Sequence, residues 1–266
     1  MIKLIITDLD GTFLNSHGDY DKKLFLEVRQ VMMHKRVHFA ACTGKQCERV
    51  EELFGVHSKD IWIVGDSATR IKYNGEFIFE SSIGNKLGLA IINTLRQTGN
   101  DHAVIACTQN GAVVHKDTPT RHKEKIRRSY ACTTETSDFN LLSDDFLKIT
   151  VFDERGNCHS TRQHLSIFDN DVYIVVSDAS WIDITAFGIH KGSTVRKLQH
   201  ILDVTAGETM AFGDGYNDIE MFAEADYSFA MSNAFEETKA AARYVTGSND
   251  ENALLETVMR LLALQS

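Results

Sequence analysis

The chain has 266 residues, 24% of them charged and 43% hydrophobic, proportions that exclude disorder and give room for one large α/β unit or two modest lobes. Lys and Arg number 28 against 37 Asp and Glu, a net charge of −9, so no overall positive field gathers a polyanion and nucleic acid is not expected as a partner. No apolar run approaches the ~20 residues that span a bilayer, and the stretch from Leu4 to Ile6 runs at once into Asp8 and Asp10, unlike a secretory signal. No membrane partner and a cytoplasmic location are therefore expected. The five cysteines, Cys42, Cys47, Cys107, Cys132 and Cys158, are odd in number and never spaced C-x-x-C. That argues against a disulfide framework or a thiolate zinc site, and most of them read as small buried hydrophobes.

In chain order, residues 2–7 read as a buried apolar strand, followed by turn residues 11–19 and a helical pattern over 21–35. A strand over 37–41, a helix over 46–53 and an apolar run over 61–64 come next. This β-α-β-α-β order predicts a parallel sheet covered by helices, because parallel neighbours need crossover connections. The end of the chain repeats it, with helices over 191–201 and 218–225, strands over 209–212 and 228–231, and a last helix to Leu264. Between these halves lie strand candidates over 103–107, 112–115, 147–152, 172–176 and 181–184, and helical segments near 85–98, 120–129 and 159–168. The turn residues 109–111 and 177–180 suggest antiparallel hairpins. The expected fold is α/β: a Rossmann-like parallel-sheet core with helices on both faces, formed by residues 1–81 and 188–266, with an inserted α+β domain over 82–187. The expected hinges are the stretches 81–85 and 186–190, each holding a glycine.

The strongest chemical signal is Asp8-Leu9-Asp10-Gly11-Thr12 directly after the first strand. In extended chain, residues two apart fall on one side, ~6.6 Å apart, so two carboxylates converge with no basic neighbour in sequence to offset them. Gly213-Asp214-Gly215-Tyr216-Asn217-Asp218 follows another apolar strand and precedes a helix, again at the carboxyl edge, where open α/β sheets place ligands. Alone it reads equally as a turn with an Asp cap. Four carboxylates together need protons or a cation, and hard oxygen donors without a histidine or thiolate cluster favour Mg²⁺ over zinc. Thr43-Gly44 offers a hydroxyl and free helix amides to a phosphate, or simply starts a helix. Lys191 sits at a helix start, where a cation is disfavoured by the macrodipole; it has an anionic partner there or is a solvated surface lysine.

Taken together, Asp8 to Thr12, Thr43-Gly44, Lys191-Gly192 and Gly213-Asp214-x-x-Asn217-Asp218 resemble the four ordered motifs of the haloacid dehalogenase superfamily of phosphatases, in its Cof-type branch with an α/β cap after the third core strand. The resemblance spans nearly the whole chain. It implies that Asp8 attacks phosphorus to form an aspartyl phosphate, that Asp10 protonates the leaving oxygen and later activates water, and that Thr43, Gly44, Lys191 and Asn217 hold the phosphoryl oxygens. It places Mg²⁺ on Asp8, the backbone carbonyl of Asp10 and Asp214, with Asp218 in support, and it implies a small phosphorylated metabolite as substrate, its identity and the oligomeric state being open. Two positions depart from the family pattern: Asp66-Ser67-Ala68 stands for the common Asn-Gly-Ala, and Lys45 for the arginine of Thr-Gly-Arg.

A P-loop is excluded because Phe39 and Gln46 occupy two of its required positions. A phospho-receiver module would be about half this length. A phosphosugar mutase shares every motif and differs only in where the phosphoryl group goes, so isomer formation without phosphate release distinguishes it. Residues 82–187 are expected to select the substrate, and Arg121, Lys125 and Arg128, at helical spacing, are expected to share one helix face. That face either is solvated surface or borders the closed site and attracts anionic substrates.

Overall fold

The computed structural model describes residues 1–98 and 102–265. Its strands are β1 (Leu4–Thr7), β2 (His38–Cys42), β3 (Ile61–Gly65), β4 (Arg70–Tyr73), β5 (Glu76–Glu80), β6 (Ala103–Thr108), β7 (Gly111–His115), β8 (Thr133–Thr136), β9 (Lys148–Phe152), β10 (Val172–Asp178), β11 (Trp181–Ala186), β12 (Thr209–Gly213), β13 (Tyr227–Ala230) and β14 (Tyr244–Val245). The helices are α1 (Lys22–His34), α2 (Cys47–Phe54), α3 (Asn85–Gln97), α4 (Thr120–Ile126), α5 (Cys158–His164), α6 (Lys191–Leu202), α7 (Ile219–Phe222), α8 (Glu236–Ala241) and α9 (Ala253–Ala263).

The first sheet has the order β14-β13-β12-β1-β2-β3-β4-β5. From β14 to β3 every neighbour is parallel, while β4 and β5 add antiparallel strands at one edge. β1 is the central strand of the parallel part and is buried throughout, which is why it reads as a continuous apolar run. Helices cover both faces. α1 starts on Asp21, whose carboxylate accepts from the Leu24 amide at 2.9 Å, and turns Phe25, Val28 and Met32 inward, where they pack with Leu254, Leu255 and Val258 of α9. On the opposite face Val195 and Leu198 of α6 and Met221 and Phe222 of α7 close over Leu4, Ile6 and Ala211. Alternation along β1 therefore sends Ile5 to one core and Leu4 and Ile6 to the other.

After Glu80 the chain leaves this sheet, builds all of a second one, and returns at Lys191. The second sheet has the order β10-β11-β9-β6-β7-β8, antiparallel except for the β7–β8 pair. One face carries Ile149, Val151, Ile182 and Ile184 against Ile91, Ile92 and Leu95 of α3 and Leu165. By the period of two, the intervening residues Lys148, Thr150 and Asp183 stand on the other face.

Several expectations of element boundaries change. β4 and β5 are additional strands, as are β8 and the two-residue β14. The helix expected over 120–129 stops at Ile126, with Arg127 as its C-cap. Arg121 reaches Glu154 at 3.0 Å, whereas Arg128 lies beyond the helix, so the three cations do not share one helix face. Four of the cysteines are buried and Cys132 is exposed. Among the described residues, no helix is long and apolar enough to cross a membrane.

Candidate active site

β1 ends at Thr7, and Asp8 follows at the carboxyl edge with its amide bonded to the Phe212 carbonyl of β12 at 2.9 Å. This bond locks the two acid-bearing loops together. Gly11 takes φ +77°, and a Cβ there would lie 2.3 Å from the Asp214 carboxylate, so both the turn and the approach of Asp214 require glycine. The Thr12 hydroxyl then donates to Asp214 Oδ1 at 2.6 Å.

Lys191 is the first residue of α6 and is buried. Its Nζ lies 2.6 Å from Asp8 Oδ1 and 2.6 Å from Asp218 Oδ1, which resolves the alternatives for a cation at a helix start: it has two anionic partners. Gly192 makes this reach possible, because a Cβ there would lie 2.4 Å from the Glu220 carbonyl. We expect Gly192→Ala to cost about 1–3 kcal/mol in denaturant unfolding, as overpacking does, and to lower kcat by moving Lys191. A variant with unchanged stability and turnover would contradict this role.

Asp218 accepts from Lys191 through one oxygen and from the Asp214 and Gly215 amides, each at 2.9 Å, through the other. Its carboxylate is thus held by protein donors on both sides. Asp8, Asp214 and Asp218 each offer one carboxylate oxygen within 4.8 Å of the others. Burial raises the Asp8 carboxyl well above its ordinary value, Lys191 opposing and Asp218, Asp214 and Asp10 reinforcing the shift. Burial and then Asp218 push the Asp214 carboxyl up to about 7, with Thr12 and Lys191 opposing. For Lys191 burial works downward, but Asp218 and Asp8 outweigh it and hold the ammonium firmly protonated. One lysine does not balance three carboxylates, and the hard oxygen set fits a divalent cation of the Mg²⁺ type.

Asp10 points elsewhere. Its carboxylate is largely exposed and meets Lys45 Nζ at 2.8 Å, so its side chain stands outside the three-carboxylate cluster. Thr43 is buried, Gly44 and Asn217 lie nearby, and all three line one cleft of about 760 Å³ with Asp8, Asp10, Asp214 and Asp218. The second sheet supplies the other wall through Lys148, Thr150, Ser177, Asp178, Trp181 and Asp183.

Sequence reasoning passed over several groups that the structure brings to this cleft. Lys45, noted only as a departure from a family pattern, clamps Asp10. Ser67, on a turn whose residues Asp66, Ser67 and Ala68 all have positive φ, accepts from Lys148 Nζ at 2.8 Å. Lys148 also donates to the Gly44 carbonyl at 2.7 Å. Gln46 joins the same two parts: its side-chain oxygen accepts from the Ala131 and Cys132 amides at 2.9 and 3.2 Å. The one signal for Lys148 was a charge at the head of an otherwise apolar strand.

A doubly wound α/β sheet with an acidic, lysine-bearing site at its carboxyl edge, roofed by an inserted sheet, defines an enzyme with a capped ligand site. The chain matches the model of the haloacid dehalogenase-like hydrolases over residues 5–258. It is 30% identical over 263 residues to the 5-amino-6-(5-phospho-D-ribitylamino)uracil phosphatase YbjI of Escherichia coli, covering 98% of this chain and 96% of that protein. It is 26% identical to a phosphatase of the same name, YcsE, of Bacillus subtilis, covering 97% and 94% of the two chains. A crystal structure of a Streptococcus mutans protein superposes with a TM-score of 0.92 at 27% identity, covering 99% of this chain and all of that one. The chain belongs to the haloacid dehalogenase-like hydrolase family. It is a phosphatase of that superfamily.

Proposed function

We propose that the chain hydrolyses the phosphate monoester of a polyhydroxylated metabolite with Asp8 as nucleophile, Asp10 as acid and base, and Mg²⁺ as the metal. The observation that carries this reading is Lys191 Nζ at 2.6 Å from both Asp8 and Asp218, beside Asp214: a buried cation and a cation-demanding cluster at one strand end. An anionic nucleophile approaching an anionic phosphate needs both to offset repulsion. Bound Mg²⁺ would be held by Asp8, Asp214 and the Asp10 carbonyl, with Asp218 in support, and would supply Lewis-acid neutralisation of the phosphoryl oxygens.

In the first half-reaction an Asp8 oxygen bonds to phosphorus while the ester P–O bond breaks and Asp10 gives its proton to the leaving alkoxide. In the second, Asp10 takes a proton from water, whose oxygen displaces Asp8 and releases inorganic phosphate. Thr43, the Gly44 amide, Lys191 and Asn217 orient the phosphoryl oxygens throughout. Lys45 holds Asp10 at the cleft edge between these steps.

Residues 82–187 are the cap that selects the leaving group, since Asp8, Asp10, Thr43, Lys191, Asp214, Asn217 and Asp218 all lie outside them. The relatives' phosphorylated ribityl substrate supports a phosphorylated polyol chain here. The test is a steady-state screen of phosphate esters with Mg²⁺: phosphate release with a kcat/KM preference for sugar or alditol phosphates is expected, and isomer formation without release would overturn hydrolysis.

Lys125 and Arg128 line the cleft, and they attract substrates with further anionic groups. Replacing both by Gln is expected to raise KM for a bisphosphate about 3- to 10-fold, within the range for exposed charges, with little change for p-nitrophenyl phosphate. The loss should shrink at high salt. Equal changes for both substrates would place these cations outside recognition.

A further inference from the structure

We propose that Lys148 is a positioning residue for the phosphate-binding loop: reaching over from the second sheet, it fixes the Gly44–Lys45 peptide and so commits the Thr43 hydroxyl to donate to a phosphoryl oxygen. The inference rests on the phosphatase reading above. It concerns the phosphoryl group, which every substrate shares, and not the leaving alcohol.

Lys148 opens β9. Because Ile149 and Val151 pack with α3, its own side chain leaves on the opposite face, toward the cleft it lines. It is 1% exposed, and a buried ammonium needs all three of its hydrogens met. Asp183 Oδ1, on the same sheet, lies at 3.4 Å. The two shorter bonds cross to the first sheet: the Gly44 carbonyl at 2.7 Å and Ser67 Oγ at 2.8 Å belong to the loops after β2 and β3. Burial works against the charge, but Asp183 leads the groups that outweigh it and hold the ammonium protonated. Asp183 is thus the counter-ion, itself satisfied further by Thr150 and Ser177, and the loops are what the ammonium positions.

The Gly44 carbonyl belongs to the peptide whose N–H is that of Lys45, and this N–H donates to Thr43 Oγ1 at 3.2 Å. Lys148 therefore holds one side of the peptide and Thr43 the other. A hydroxyl that accepts from an N–H keeps its own hydrogen for another acceptor. Thr43 is buried and lines the cleft with Asp8, where that acceptor is a phosphoryl oxygen. Gly44 has no Cβ to restrict how the peptide turns. Turned over, it would present its carbonyl to Thr43 and take that hydrogen itself. The loop after β3 supports the same arrangement. Asp66, Ser67 and Ala68 have φ of +52°, +56° and +69°, a strained run that persists only where partners hold it. The Ser67 amide donates to the Thr43 carbonyl at 3.2 Å and the Asp66 amide to the Lys45 carbonyl at 2.8 Å. By holding Gly44 and Ser67 together, Lys148 closes a ring of bonds around Thr43 that neither loop completes alone.

The test uses the full chain with Mg²⁺ and measures kcat/KM for ribitol 5-phosphate and p-nitrophenyl phosphate, together with competitive inhibition by inorganic phosphate. Lys148→Met keeps the length of the side chain and removes its donors. It is expected to lower kcat/KM about 10- to 100-fold on both esters, the scale of a misplaced binding group, and to weaken phosphate inhibition by about 10-fold. The pair Lys148→Met with Asp183→Asn leaves no orphaned carboxylate; it is expected to show the same losses and serves if the single variant fails to fold. Thr43→Val should lower the same quantities, and adding Lys148→Met to it should cost less than about threefold more, because both act through one hydroxyl. Losses that multiply instead would place the action of Lys148 elsewhere. A loss confined to ribitol 5-phosphate would make it a reader of the leaving alcohol, and recovery in the pair with Asp183→Asn would trace the effect to the orphaned carboxylate. A lower melting temperature with unchanged kcat/KM and phosphate inhibition would leave Lys148 purely structural. Each of these four results overturns the proposal, whereas a wild type that releases phosphate from neither ester refutes the phosphatase reading itself.

Discussion

Asp8→Asn is expected to lower kcat by about 10⁴-fold or more, the scale on which enzymes lose turnover when a covalent nucleophile is removed. The amide is a poor nucleophile and cannot become an acyl phosphate. Rapid-quench trapping with labelled substrate should therefore recover no phosphoenzyme from the variant. Unfolding is an inadequate explanation for such a loss, because Lys191 keeps its bond to Asp218 and the substitution removes a buried charge that Asp218, Asp214 and Asp10 all oppose. The metal-free variant should be at least as stable as the wild type, and a marked fall in its melting temperature would contradict this account. Asp10→Asn separates the second role, with a loss of about 10²–10⁴-fold, smaller for p-nitrophenyl phosphate, whose leaving group needs no proton, than for an alkyl ester. Undiminished labelling of the Asp8 variant would move the nucleophile elsewhere.

The carboxylates were legible because β1 and β12 are short apolar runs ending abruptly in acid. A buried strand with its charge at one end states where the sheet edge lies, and Asp8 and Asp214 come to that edge from strands far apart in sequence but adjacent in the sheet. β4 and β5 were illegible for the opposite reason. They carry Arg70, Lys72, Glu76 and Glu80; Arg70 pairs with Glu80 across the hairpin at 2.7 Å and Lys72 with Glu51 of α2 at 2.8 Å, contacts that appear only once the strands are paired and packed, so no apolar run marks them in the sequence. β8, all Thr and Glu, is an edge strand with the same defect. The roof of the site was equally hidden. Lys148 meets Gly44 across 104 residues of sequence, and Asp183 acquires its meaning from Thr150 on the neighbouring strand and from the loop below. Periodicity overreached for Arg121, Lys125 and Arg128: helical spacing was extended past Ile126, where the chain instead turns so that Ser129 accepts from the Gln46 amide.

Chelation is expected to lower kcat about 10³-fold or more, since metal neutralisation of a transferring phosphoryl group contributes several kcal/mol. Its pH dependence follows from the site. Asp214 is raised from 3.8 to about 7, so between those values the folded, metal-free chain binds a proton that the unfolded chain has released. Such a group stabilises the native state at the acid end and loses that contribution as pH rises through about 7. The chelated protein should accordingly melt at lower temperature at pH 8 than at pH 6. Mg²⁺ needs the same oxygen deprotonated, so its affinity should rise over that interval, with proton release on binding. Calorimetric titration of the apo protein with Mg²⁺ at the two pH values measures both. At one hundred times its dissociation constant the ion should restore about 2.7 kcal/mol of stability, erasing or reversing the fall at pH 8. Asp214→Asn removes the proton competition together with the charge. The variant should bind Mg²⁺ weakly and almost independently of pH, and its metal-free form should melt at least as high as the wild type at pH 8. Retention of the wild-type pH dependence in that variant would show that another group carries the proton, and full turnover in excess chelator, with the metal shown to be gone, would refute the metal-dependent reading.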